Sequence, residues 1–459
     1  MLFDDVLLAI FDFYVKGDQF TKKGIEAWQS LVHVCQRWRS LVFGSPRHLN
    51  LQLLCTPGTP RGKLDVWPAL PLVVRGHVSR PDVDNIVATL ERSDRVCRID
   101  IDYDSSSQVE TVWAAMQEPF PELRHLRMYC VNTVKGQVVP DSFLGGSAPR
   151  LRFLQLDAIP FPGLPNLLLS TTHLVSLRLY DIPHSGYFSP EALATALSRS
   201  TSLDELTLGF RTLQSRLDPE KSRHYLPSTR TVLPALTQFE IEGACEYLEN
   251  FLARIDVPRL NHCSIALFYQ FDIDTSQLVQ FVSRIPTLKA HDEAHVAING
   301  GIVDVTLLSR TDPGLLTVQI LFGESDFQLS SMARVSTSSL PCLSTVESLY
   351  IYKGYGLQSD WEDEIRIENT EWLDLLRPYT AVENLYLSEE FVPGVMRALQ
   401  ESAGGRTTVV LPTLRTVSLE GFYQYLPGPV KEDIWQFITT RQFSGCPCAV
   451  SIWDGSGRF

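Results

Sequence analysis

Leu151-Arg152-Phe153-Leu154-Gln155-Leu156, Leu174-Val175-Ser176-Leu177-Arg178-Leu179 and Leu203-Asp204-Glu205-Leu206-Thr207-Leu208 are three copies of one short pattern. Each runs apolar, two variable residues, apolar, one variable residue, apolar. The last two apolar positions are one residue apart, the period of a strand that buries a single face. Outward from these, Leu123/Leu126/Met128 precedes them, and Leu236/Phe239/Ile241 and Leu260/Cys263/Ile265 follow, with successive starts 28, 23, 29, 33 and 24 residues apart. The pattern returns at Val346/Leu349/Ile351, Val382/Leu385/Leu387 and Leu414/Val417/Leu419, 36 and 32 residues apart. Pro121, Pro149, Pro234, Pro258 and Pro412 stand just ahead of copies. Proline there interrupts the preceding segment and favours extended backbone. A motif this short means little once; nine times in 459 residues it defines a repeat.

Between the copies lie residues at helical spacing: Leu193, Ala196, Leu197; Leu248, Phe251, Leu252, Ile255; Leu278, Phe281, Val282, Ile285; and Ile434, Phe437, Ile438. One strand and one helix cannot bury their apolar faces alone. Stacking such pairs can, which predicts an α/β solenoid with a parallel sheet inside and helices outside. The block near 288–340 does not fit the pattern. Val303–Leu307 and Leu316–Ile320 alternate like two strands, which predicts a distorted repeat or an inserted hairpin.

The repeat resembles the leucine-rich repeats, in irregular form, over roughly residues 95–425, although the Asn or Cys that many such repeats carry after the strand is mostly absent. Residues 1–48 are different. Val6, Leu7, Ile10, Phe11 and Tyr14 form one helical stripe behind Asp4 and Asp5, and Trp28, Leu31, Val32, Cys35, Trp38, Leu41 and Val42 form another that stops near Ser45-Pro46. The strings LFDDVLLAIFDFY (2–14) and WQSLVHVCQRWRSLV (28–42) closely resemble an F-box. Leu31, Val34, Cys35, Trp38, Arg39 and Leu41 match the second half of its pattern in order; Phe3 stands where that family usually has proline. The whole is similar to fungal-type proteins that join an F-box to C-terminal leucine-rich repeats. The domains expected are a helical module at 1–48, a connecting segment with the first irregular repeats at 49–95, and the repeat solenoid at 96–459.

That resemblance implies a substrate-recognition subunit of an SCF-type cullin-RING ubiquitin ligase. Such a protein binds a Skp-family adaptor through residues drawn from Leu2, Val6, Leu7, Ile10, Phe11, Val34, Trp38 and Leu41, and holds a protein substrate on the repeats. Its mechanism is tethering, which raises effective concentration and asks no chemistry of the tether. Outward strand positions that could meet a substrate include Arg127, Tyr129, Phe153, Arg178, Tyr180, Glu240, Tyr350, Tyr352 and Tyr386, tyrosine and arginine being the residue types most enriched where interfaces gain energy. The alternative is a non-catalytic repeat scaffold whose first helices only cap the stack.

Composition agrees with a binding protein. Forty Lys+Arg against 53 Asp+Glu leave a net charge of -13, the wrong sign for a nucleic-acid binder. Nine scattered cysteines suit reduced thiols, no run of about 18 apolar residues spans a membrane, and the acidic start is no signal peptide, so the chain is expected in the cytoplasm, the nucleus or both. No enzyme, cofactor or metal signature stands up. His291-Asp292-Glu293-Ala294-His295 puts Asp where a zinc protease needs Glu, and reads as a loop of solvated charges. Gly58–Leu64 (GTPRGKL) is too short for a phosphate-binding loop and ends in Leu where Ser or Thr should meet magnesium. Cys446-Pro447-Cys448 lacks a second ligand pair and reads as a thiol-bearing turn.

Overall fold

The structure is a computed structural model that describes residues 3–15, 22–59, 62–66, 69–78, 83–103, 106–130, 138–211, 229–268, 275–299, 302–310, 313–321, 329, 332–333, 335, 340–354, 367–404, 410–420, 428–443 and 445–453. It divides into two compact units, Met1–Arg211 and Thr212–Phe459.

The first unit opens with a helical module: α1 (Asp4–Val15), α2 (Lys22–Ile25), α3 (Ala27–Val32) and α4 (Gln36–Gly44). Leu7, Phe11 and Val15, four apart, form the inward stripe of α1 and are buried with Trp28, Leu31, Val32 and Val42. Trp38 of α4 packs its ring 4.7 Å from that of Phe11. Cys35 caps α4, its Sγ accepting from the Trp38 backbone N–H at 3.5 Å, and Arg37 pairs with Asp4 of α1 at 2.5 Å. The strands follow: β1 (Leu53–Cys55), β2 (Leu72–Val78), β3 (Val96–Tyr103), β4 (His125–Cys130), β5 (Phe153–Asp157), β6 (Ser176–Ile182) and β7 (Glu205–Phe210), each parallel to the next. The repeat therefore begins within 49–95, ahead of the first clear motif. Register explains the motif. Ile99, Leu126, Leu154, Leu177 and Leu206 form one buried row, and Ile101, Met128, Leu156, Leu179 and Leu208 the next. Each such leucine removes about 1.5–3 kcal/mol of apolar surface from water, which a lone strand could not do.

The second unit carries β8 (Thr231–Val232), β9 (Gln238–Gly243), β10 (Ile255–Asp256), β11 (His262–Phe268), β12 (Glu293–Asn299), β13 (Ile302–Leu308), β14 (Leu315–Leu321), β15 (Ser348–Lys353), β16 (Asn384–Leu387), β17 (Thr416–Glu420) and β18 (Ala449–Trp453). Its main sheet runs β9-β11-β14-β13-β12-β15-β16-β17-β18, while β8 and β10 pair separately. Helices at Cys245–Leu252, Ser276–Arg284, Asn369–Leu376, Val392–Gly404 and Gly428–Phe443 stand between strands in sequence. Phe251 and Phe281 bring their rings 6.1 and 6.2 Å from Phe239 of β9, so the helices cover the apolar face of the sheet. Arginines tie turns together: buried Arg441 donates from Nη2 to the Leu414 carbonyl at 2.9 Å, and Arg95 of the first unit does the same to Leu70 at 3.0 Å.

Two backbone donors in this unit, one buried and one half-buried, depend on one carboxylate. Glu249 is 5% exposed and accepts from the N–H groups of Gln277 at 2.6 Å and Leu278 at 2.9 Å, the first turn of the Ser276–Arg284 helix. Glu249→Ala strands both donors and is expected to cost about 2 kcal/mol, read from urea denaturation, with Glu249→Gln recovering part of it.

Three sequence expectations change here. The irregular block does contain the hairpin, β13 with β14, but also a third strand, β12, antiparallel to β13. His291-Asp292-Glu293-Ala294-His295 is thus no solvated loop: it leads into β12, and His291 and His295 are each 2% exposed. The charges misled because Asp292, Glu293 and Arg310 pair among themselves at the rim, Glu293 with Arg310 and Asp292 with the Arg310 backbone N–H at 3.0 Å. Ile255, grouped with a helical stripe, lies beyond the helix end in β10, buried all the same.

Candidate functional site

Helix α1 is apolar on both sides. Opposite the buried Leu7/Phe11/Val15 stripe, Phe3, Val6, Ile10 and Phe13 follow helical spacing and stand in solvent, with Ile10 at 49%, Phe3 at 81% and Phe13 at 84% exposure. Tyr14 and, at the α3–α4 turn, Val34 are exposed as well. A helix that is hydrophobic nearly all round is normally buried on all sides, so this outer face is suited to a partner.

Among the residues the resemblance implicated, Val34 is exposed at the α3–α4 turn, and Val6 and Ile10 lie on that face. Leu7 and Phe11 do not: their i, i+4 spacing turns them into the module's own core, and they hold the face up rather than form it. Trp38 and Leu41 are half-buried, and Leu2 falls outside the described residues. Phe3, Phe13 and Tyr14 belong with the outer face. Tyr14 had been grouped with the same stripe as Leu7, and the separation appears only when the 3.6-residue period is followed around both sides of the helix.

The sheet face opposite the helices holds the other candidates. In the first unit it is ionic. Arg75, Asp100, Arg127, Gln155, Arg178 and Thr207 lie in one row across β2–β7. Asp100 accepts from Arg127 at 2.7 Å and Arg75 at 3.2 Å, and Arg178 pairs with Glu205 at 2.7 Å. In the adjoining row His125 and Phe153 stack at 4.2 Å, 3° apart, and the Arg178 guanidinium lies 5.5 Å from the Phe153 ring. Tyr129 and Tyr180 are half-exposed beside them. These residues form one surface of the first unit.

The matching face of the second unit is polar at β9, where Glu240 and Glu242 are exposed, and aromatic further on. His295, Tyr350 and Tyr386 of β12, β15 and β16 occupy one row and stack at 4.4 and 4.2 Å, with ring planes 4° and 6° apart. The ring of Trp453, from β18, closes over them, 5.8 Å from both Tyr350 and Tyr386. Tyr350 and Tyr352 are consequently buried, Tyr352 to 2% exposure, and are not available as contact residues; Tyr386 is half-buried. Alternation placed them on the outward face, and that is where they are. What alternation could not show is a tryptophan 101 residues beyond Tyr352 folding back onto that face.

The architecture is a stack of mostly parallel strands with helices between them in sequence, as the repeat predicts. No family model matches the chain, and no curated protein matches it. Among solved structures, the leucine-rich repeat-containing protein LegL7 from Legionella pneumophila matches at 13% identity, over 84% of this chain and 97% of that one, with a TM-score of 0.29. That the chain is built of repeats rests on the register of the strands above. Among the described residues no group of three or more His, Cys, Asp or Glu side chains is placed to hold a metal ion, and no helix is long and apolar enough to cross a membrane. Cys35, Cys55, Cys97, Cys130, Cys245, Cys263, Cys446 and Cys448 carry free thiols; burial pushes Cys97 up to about 11 and Cys263 up to about 12, so neither is poised as a nucleophile.

Proposed function

We propose that the chain is a non-catalytic substrate receptor of an SCF-type cullin-RING ubiquitin ligase, whose helical module binds a Skp-family adaptor while the repeats hold a protein substrate. The observation that carries this reading is the outer apolar face of α1, with Phe3, Val6, Ile10 and Phe13 in solvent above a packed inner stripe. Leaving such a face uncovered costs solubility and gains nothing, unless a partner covers it. The substrate-facing residues in this reading are Arg127, Tyr129, Phe153, Arg178 and Tyr180 of the first unit and Glu240 and Tyr386 of the second.

The test is co-purification of the full chain with a Skp-family adaptor. Ile10→Asp puts a charge at the centre of the exposed face without touching the core, and is expected to weaken the complex by about thirtyfold, some 2 kcal/mol, with the melting temperature unchanged. A wild-type chain that binds no adaptor sinks the reading. A second reading then stands, a repeat scaffold capped by its own N-terminal helices, and one contact favours it: buried Trp28 donates from Nε1 to the Gln52 carbonyl at 2.8 Å, tying the module to the first repeat.

A further inference from the structure

The N-terminal ends of β2–β5 open on a cleft of about 1010 Å³, walled on its other side by Phe43, Pro46 and Arg47 at the end of the helical module. Arg47, Arg95, Arg98, Arg124 and Arg150 line it with His125, against the two carboxylates Asp94 and Glu122. That is an unexpected concentration of positive charge in a chain of net charge -13. The five arginines are unequally engaged. Arg95 is held by the Leu70 carbonyl, Arg150 by Glu122, and Arg98 reaches Asp100 only at 3.7 Å. Arg47 and Arg124 make no side-chain hydrogen bond or ion pair among the described residues.

Two buried atoms in the wall also lack partners among the described residues, Arg98 Nε and His125 Nε2. Folded proteins leave few such atoms, because each costs about 1–3 kcal/mol. Burial and the neighbouring Arg98 charge hold the His125 imidazole down to about 4, so the histidine is neutral and the cationic field is set by the arginines alone. A cleft of this size matches small-molecule sites, which run to about 1,000 Å³. Guanidinium groups from separate strands can grip several phosphate groups at once, each through paired N–H donors.

We propose that this cleft binds a compact polyanion, a free small molecule bearing two or more phosphate groups. Bound there, the ligand bridges the helical module and the first repeats, and would stabilise the first unit in proportion to its occupancy. A phosphorylated side chain of a partner offers the same chemistry from another source, but a single phosphate neutralises less of the charge that five arginines set against two carboxylates.

Isothermal titration of sodium tripolyphosphate into the full chain tests this at ionic strength matched with sodium chloride. Saturable binding is expected, with a rise in melting temperature that chloride does not produce. Arg47→Gln and Arg124→Gln are each expected to weaken it about tenfold, the worth of one charge-assisted contact. Neither arginine is paired among the described residues, so the unliganded variants should melt with wild type. No saturable binding, equal binding by the double variant, or a singly phosphorylated peptide that binds where tripolyphosphate cannot compete would each overturn the proposal. Ile10→Asp is expected to bind tripolyphosphate as wild type does, so this site and the adaptor reading can fail separately.

Discussion

At pH 5 the second unit is expected to be about 4 kcal/mol less stable than at pH 7, because two histidines must stay neutral to remain where they are. His291 and His295 are each 2% exposed, and burial is the main cause that brings both down to about 4 from an ordinary 6.5; Asp292 and Glu293 nearby only soften it. The sign follows from proton uptake. Below pH 6.5 the unfolded chain binds a proton at each histidine and the folded chain does not, so stability falls as pH falls until the folded groups titrate near 4, at up to 1.36 kcal/mol per pH unit for each. Asp304 works the other way, since burial raises its carboxyl and lets the folded form take a proton early, which offsets part of the loss. Urea denaturation at pH 7, 6 and 5 measures the slope. His295→Phe keeps a flat ring against Tyr350 and removes one titrating group; an unchanged slope in that variant would show that another residue is responsible.

Trp453→Ala should cost about 3–5 kcal/mol, the range for deleting a buried aromatic side chain. Trp453 is 5% exposed and lies on Tyr350 and Tyr386 at an edge strand on which Ala449, Ser451 and Ile452 are exposed and Val450 is half-buried. Its removal leaves Tyr350 and Tyr352 facing water and takes away the one buried side chain of β18, which is then held by its pairing with β17 and the Ser418–Ser451 hydrogen bond. Trp453→Phe, which fills part of the space, should recover at least half of the loss. The checks are the melting temperature and the number of tyrosines seen as exposed by second-derivative ultraviolet absorption. A variant as stable as wild type, with no newly exposed tyrosine, would mean that Trp453 only rests on the face it covers.

Much of this was legible in the primary structure because the repeat ties each apolar position to its neighbours in adjacent strands. Leu154, Leu177 and Leu206 share a row for the same reason they share a motif position. Legibility failed where the determinant is non-local. The strand at Glu293–Asn299 has its apolar row, Ala294, Val296 and Ile298, but buried His291 stands ahead of it where the motif has an aliphatic residue, and the row is recognised only from its pairing with β13 on one side and β15 on the other. Tyr350 and Tyr352 obeyed alternation and were still covered, by a residue from the far end of the chain. In α1, apolar residues on all sides concealed which stripe is core and which is surface. The arginine cleft had no local signature at all, since its members come one or two at a time from separate repeats.

The reversal of β12, β13 and β14 bears on how the second unit folds. In an ordinary stack each repeat touches only the one before and the one after, so order can spread along the chain like a zipper, and local openings stay local. Here β12 lies three places from β11 in the sheet, and β13 and β14 come back to fill the gap. Until that return is complete β11 and β12 each have an unpaired edge, and the β12-β15-β16-β17-β18 stretch is not joined to β11. Nearest-neighbour propagation is broken at this point and replaced by an all-or-none step that closes a loop before any contact rewards it. The segment from β11 to β15 should therefore behave as one cooperative block, the slowest to assemble and the last to open.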